Sequence, residues 1–226
     1  DAAGNPNTAA SDDVQPVDTR VPTVAITSSA SALKAGESAT ITFSFSEDPG
    51  DSFTWDGTAG DISVSGGTLS AISGTGLTRT ATFTPTAGST TAAVISVASG
   101  TFTDAVGNAN TDGSEANNST SISIDTVLPS VVITDDEAGT ANIAGGDVVF
   151  TFTFSEDVTG FTADDVTISS GTKGAFTMVD AKTYTLAVTP QADFEGNLTA
   201  SVAAGVATDA AGNPNTAASD DVQPVD

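Results

Sequence analysis

Carboxylates recur at matched positions along two similar stretches of this chain. The first stretch carries Asp18, Glu47, Asp61 and Asp104, the last followed by Asn108. The second carries Asp125, Glu156, Asp165 and Asp209, the last followed by Asn213. These side chains offer oxygen donors only. The chain contains no Cys and no His, which removes the usual ligands of zinc, iron–sulfur and haem centres and the bases of Ser–His and Cys–His catalytic pairs. A set of oxygens suits a hard cation, and Ca²⁺ takes about six to eight of them. The formal net charge is −24, from 29 Asp and Glu against 5 Lys and Arg. Such a field repels nucleic acid and anionic membrane and attracts cations. By itself it also serves solubility, and the charge count does not choose between the two uses.

The elements that must position these acids are strands. Ile41, Phe43 and Phe45 alternate with Thr and Ser, and Phe150, Phe152 and Phe154 repeat the pattern with Thr151 and Thr153 between them. Alternation of this kind buries one face and wets the other. Further alternating runs lie around Phe83, Ile95, Ile122, Leu186 and Leu198, bounded by Gly, Asp and Pro. About seven short antiparallel strands in roughly 100 residues give an all-β fold, an immunoglobulin-like sandwich of two sheets, twice over. In such a sandwich the entry to the first strand, the B–C loop and the F–G loop lie at one end. Asp18 falls at the entry, Glu47 and Asp61 bound the B–C connection, and Asp104 opens the F–G loop. Asp125, Glu156, Asp165 and Asp209 repeat these places. Gathered without a cation, four carboxylates would repel one another. The first stretch differs by a longer B–C segment, Pro49 to Gly60, containing the sole Trp55; this residue reads either as a ligand contact or as a lid on the core.

Repetition sets the domain organisation. Residues 1–18 and 209–226 are identical, DAAGNPNTAASDDVQPVD in both places. The division that follows is a tail of a preceding repeat at 1–17, a first repeat at 18–124 and a second at 125–226. Asp18-Thr-Arg-Val-Pro22 and Asp125-Thr-Val-Leu-Pro129 mark the two links. Proline holds each in an extended form, and strands start within a few residues, so neighbouring repeats are expected to touch and the array to be stiff. The tail, separated from its own sheet, is expected to be mobile or to dock on a neighbouring molecule. The junction at Asp125, with a repeat on both sides, is the place to look for a complete calcium site.

Phe45-Ser-Glu47 (again as Phe154-Ser-Glu156), Gly160-Phe-Thr-Ala-Asp-Asp-Val-Thr-Ile168, Thr84-Pro85 and Asp104-Ala-Val-Gly-Asn108 together resemble the bacterial immunoglobulin-like repeats of giant repeats-in-toxin (RTX) and biofilm-associated surface adhesins. The resemblance covers nearly the whole chain. It implies a calcium-rigidified extender module, exported by a type I system to the bacterial cell surface, that holds a distal ligand-binding region away from the cell. Its expected partners are neighbouring repeats and Ca²⁺, with no nucleic acid, no membrane insertion and a monomeric chain. An alternative from another class is an adhesin module that grips glycan, protein or a surface through its loops or a Thr-rich face. An enzyme is not expected, because a catalytic site would not recur in every unit of an array.

Overall fold

The computed structural model describes residues 2–111, 117–142, 144–218 and 221–226. The strands of the first repeat are β1 (Val24–Ser28), β2 (Ala32–Lys34), β3 (Ala39–Phe45), β4 (Ile62–Ser65), β5 (Gly67–Leu69), β6 (Thr78–Pro85), β7 (Ala93–Val97) and β8 (Ser119–Asp125). They form one sheet in the order β1-β3-β6-β5 and another in the order β2-β8-β7-β4. The second repeat uses β9 (Val131–Thr134), β10 (Val148–Phe154), β11 (Val166–Ser169), β12 (Gly171–Met178), β13 (Thr183–Pro190), β14 (Gly196–Val202) and β15 (Asp221–Val225). Its sheets are β9-β10-β13-β12 and β11-β14-β15. Each repeat is therefore an antiparallel two-sheet sandwich, with one local parallel pairing. In the first, β2 runs parallel to β8; in the second, the corresponding contact is a single parallel bridge between Ala141 and Val225. No helix among the described residues is long and apolar enough to cross a membrane.

The period of two carries through to packing. Ala39, Ile41, Phe43 and Phe45 are buried while Thr40 and Ser44 face water, and Val148, Phe150, Phe152 and Phe154 are the buried face of β10. A shift of one residue would turn these aromatics outward, so burial pins the register, as in the pairs Ile26↔Phe43 and Phe152↔Ile133. Two apolar clusters result, one within each repeat and with no member in common.

Edge-to-face aromatics close each core beneath the acidic end. Phe45 and Phe53 have ring centroids 4.8 Å apart and Phe53 and Phe102 5.4 Å; Phe154 and Phe161 stand at 5.1 Å in the second repeat. Trp55 packs against the first core and donates from its indole N–H to Leu69 O at 3.4 Å, the place of a lid. The longer B–C segment around it is clamped from below by buried Arg79. That guanidinium donates to Phe53 O and Gly50 O, lies over the rings of Phe45 and Phe53, and pairs with Asp48 at 3.6 Å. Arg79 faces Phe43 in the sheet just as Tyr184 faces Phe152. Tyr184 does the same work with less reach, its hydroxyl donating to Val158 O at 3.2 Å.

Between the repeats the chain leaves β8 at Asp125 and enters β9 at Val131. Thr126 in this link is buried; its hydroxyl donates to Thr86 O at 2.7 Å and accepts from the Ser89 N–H at 2.9 Å. Residues 2–21 at the other end of the first repeat are exposed and contain no strand.

Because the clusters are separate, Phe150→Ala should remove about 3–5 kcal/mol from the second repeat, the range for a large aromatic deleted from a core. Differential scanning calorimetry should show one transition lowered and the other unmoved; a joint shift of both would mean that the cores unfold as one.

Candidate metal centre at the repeat junction

Three loops meet at the end of each sandwich that bears the link. In the first repeat they deliver Asp18, Glu47 and Asp104, and in the second Asp125, Glu156 and Asp209. Within each trio, one carboxylate oxygen from every residue lies within 4.8 Å of the others. Oxygens bound to one Ca²⁺ at roughly 2.3–2.6 Å can be separated by up to about 5 Å, so each trio fits one ion of that size. The gradient of exposure is similar in both. Asp104 and Asp209 are buried at 6% and 5%, while both glutamates and Asp125 are half-buried and Asp18 is exposed.

Local structure explains why Asp104 and Asp209 tolerate burial. Each opens a tight turn whose backbone donates to its side chain. Asp104 Oδ1 accepts from the N–H groups of Val106 at 3.0 Å and Asn108 at 2.8 Å; Asp209 Oδ1 accepts from Asn213 N–H at 2.8 Å. Burial works against the Asp104 charge, yet the donors of Asn108, Val106 and Gly107 outweigh it and hold the carboxyl below the ordinary range. Glu156 has no such support. Burial first, then the charges of Asp209 and Asp125, push its carboxyl above the usual range. In the first repeat, Glu47 Oε1 is buried with no hydrogen-bond partner. A buried carboxylate oxygen without a donor is costly, and a cation is the kind of partner it lacks.

The remaining acids singled out in the sequence stand elsewhere. Asp61 Oδ2 accepts from the Thr54 N–H at 2.6 Å and its hydroxyl at 3.3 Å, and Asp165 Oδ2 accepts from the same two groups of Thr162 at 2.8 and 2.7 Å. This Thr–Asp brace ties the end of the B–C segment to the strand that follows. It is the same in both repeats despite the extra residues in the first, and neither acid joins a trio.

Asn108 and Asn213 meet the trios through nitrogen. Asn108 Nδ2 donates to Asp104 Oδ2 at 2.7 Å, Arg20 O at 3.1 Å and Asp18 O at 3.3 Å. Asn213 Nδ2 donates to Asp209 Oδ2 at 2.8 Å and Asp125 O at 3.0 Å. All these partners are acceptors, so the amide NH₂ must face them. In this structure the asparagines thus hold the carboxylates in place through their nitrogens. Asn213 goes further: its Oδ1 accepts from the Ala35 N–H of the first repeat at 2.8 Å, and the Lys34 ammonium donates to Gly212 O at 3.1 Å. Asn213 is fully buried. One side chain thus ties together the first repeat, the link and the deepest acid of the second trio. Sequence reasoning did not find Lys34 and Ala35, because nothing in their local pattern distinguishes them; only the juxtaposition of the two sandwiches does.

A family model described as a bacterial Ig-like domain matches residues 18–123 and again 125–224. Among curated proteins none matches the chain. Solved structures to which the chain is similar include FdeC, an Escherichia coli adhesin, at 18% identity and a TM-score of 0.48, covering 91% of this chain and 63% of that one. The Yersinia pseudotuberculosis adhesin InvE matches at 15% identity and 0.35, covering 90% and 58%. Domains 5–6 of the S-layer protein SbsC match at 15% and 0.27, covering 89% and 95%. The chain spans less than two thirds of FdeC and of InvE.

The Glu156 environment makes a signed prediction. A carboxyl whose folded pKa is raised penalises the fold when ionised. The penalty is absent below the ordinary glutamate range and grows as pH rises through the raised folded value. In chelator, Glu156→Gln should therefore melt above the parent at pH 7 and level with it near pH 4. Thermal melts of the two proteins across this range check it; a lower melting temperature for the variant at pH 7 in chelator would contradict it.

Proposed function

The chain belongs to the bacterial Ig-like domain family, and we propose that it is an extender of a bacterial surface adhesin. Its repeats, bounded at Asp18 and Asp125, are spaced by calcium-stiffened junctions. The observation that carries the reading is the double trio: link, B–C loop and F–G loop bring three carboxylates within 4.8 Å of one another at both repeats. Asp18, Glu47 and Asp104 would hold one ion, and Asp125, Glu156 and Asp209 another. Bound there, Ca²⁺ supplies charge neutralisation and a rigid coordination shell, and extracellular modules of this kind hold it at roughly 10⁻⁴ to 10⁻³ M.

The chain's own residues perform the mechanical part. Asp125 belongs at once to the last strand of the first repeat and to the trio of the second. Neutralising the trio therefore fastens the end of one sandwich to the head of the next, where Asn213 and Lys34 already bridge. A rod of such units projects a distal ligand-binding region from the cell surface, reached by type I export. The high negative charge keeps free chains apart, and no catalytic role is assigned to the acids.

Calorimetric titration with Ca²⁺ tests this. The parent should bind two ions with a rise in melting temperature, and Asp209→Asn should lose one ion together with the stabilisation of the second repeat. Unchanged melting in saturating Ca²⁺, or an Asp209→Asn variant that binds as the parent does, would overturn the reading.

A further inference from the structure

The first repeat bears a groove of about 720 Å³ between the longer B–C segment and the connection from β5 to β6, a volume usual for small-molecule sites. Its wall is Trp55, half-buried, packed on the core and held by its indole N–H to Leu69 O at 3.4 Å. Asp51 and Asp56 stand at its rim. Asp51 is exposed, and its carboxylate makes no hydrogen bond among the described residues. Asp56 Oδ1 accepts from the N–H groups of Ala59 and Thr58, both at 2.8 Å, and these donors hold the carboxyl below the ordinary range. At the floor lies Arg79, 7% exposed. Its terminal nitrogens serve Phe53 O and Gly50 O, but Nε is buried with no hydrogen-bond partner. A buried N–H without an acceptor is costly.

We propose that this groove is a binding site for a neutral oligosaccharide. Sugar hydroxyls both donate and accept, so they would accept from Arg79 and donate to Asp51 and Asp56, while the C–H face of a ring lies on the indole of Trp55. The other ligand classes match fewer of these groups. A basic peptide would use the carboxylates but meet the Arg79 charge and leave its N–H without an acceptor. An acidic sugar would be repelled by the rim and by a chain of net charge −24. A neighbouring repeat leaves this flank open. The place of Gly74 in the groove is taken in the second repeat by Met178, which pairs with Tyr184, the counterpart of Arg79. Met178 and Val179 are 58% and 60% exposed although the first repeat is docked at that end. Those two side chains also mark the difference between the repeats, because Gly74, Thr75 and Gly76 bring nothing large over the groove. The proposal is independent of the calcium reading, since Asp51 and Asp56 belong to neither trio.

Trp55 is the sole tryptophan of the chain, so its fluorescence reports the groove directly. The full chain, in chelator so that neither trio contributes, is titrated with the tetrasaccharides of glucose, mannose and N-acetylglucosamine, and separately with octalysine and sialyllactose. At least one neutral tetrasaccharide should give a saturable change. Asp51→Ala, which removes an exposed side chain without a partner, should weaken that binding about tenfold, the loss of one hydrogen bond to a charged group. No saturable change with any neutral tetrasaccharide, a change with octalysine or sialyllactose alone, or an Asp51→Ala variant that binds as the parent does would overturn the proposal. Amide chemical shifts of the unaltered chain locate the site without any substitution. With the bound tetrasaccharide, the shifts should centre on residues 50–59 and 72–79; shifts centred on the second repeat would overturn it.

Discussion

Mutual repulsion among three carboxylates is the constraint around which the link-bearing end of each repeat is built. Asp125, Glu156 and Asp209 approach within 4.8 Å, where unit charges interact by about 4 kcal/mol per pair at an effective dielectric near 20. The fold gathers the same three acids at both repeats and supports them unevenly. In the first repeat Asp104 is wrapped in donors that hold its carboxyl below the ordinary range, whereas in the second Glu156 is left with burial and two negative neighbours that raise its own. The cation we propose would relieve the repulsion that this arrangement leaves. The aromatic layer beneath it, Phe154 against Phe161 and Phe45 against Phe53, keeps the loops from collapsing inward.

The two repeats reach this arrangement by different internal routes. The first must carry the Pro49–Gly60 excursion, and it does so by placing a buried cation, Arg79, under the loop, where it satisfies two carbonyls and stacks on two rings. The second uses Tyr184 at the same register position and one hydroxyl. In both, the Thr–Asp brace closes the segment, so differences in loop length are absorbed before they reach Glu47 or Glu156. Loop length varies while the trio does not, which is what an array needs if its junctions are to be alike.

Much of this was legible in the sequence, for identifiable reasons. Strand alternation around Phe43 and Phe152 is a one-dimensional signal of a half-buried sheet, and it carried the all-β sandwich. Recurrence of Asp18, Glu47 and Asp104 as Asp125, Glu156 and Asp209 pointed to one shared end, because sandwich topology alone decides which loops meet there. Asp61 and Asp165 lie at that end as well, but position does not specify orientation: a threonine N–H and hydroxyl one short segment away claim both. The asparagines followed the same logic. Their place near the acids was readable, yet which amide atom faces the carboxylates depends on Asp125 O and Ala35 N–H, partners far away in sequence. Contacts between domains, such as Lys34 with Gly212, leave no local pattern at all.

The central claim is that neutralising the Asp125 trio fixes one sandwich relative to the next. Residual dipolar couplings of backbone amides in a weakly aligned sample test it most directly, because each repeat reports its own orientation. With Ca²⁺ present, both repeats should fit a single alignment tensor of one rigid body; with chelator, they should require two tensors, the second averaged by motion about the link. One tensor in both conditions, or two in both, would contradict the account.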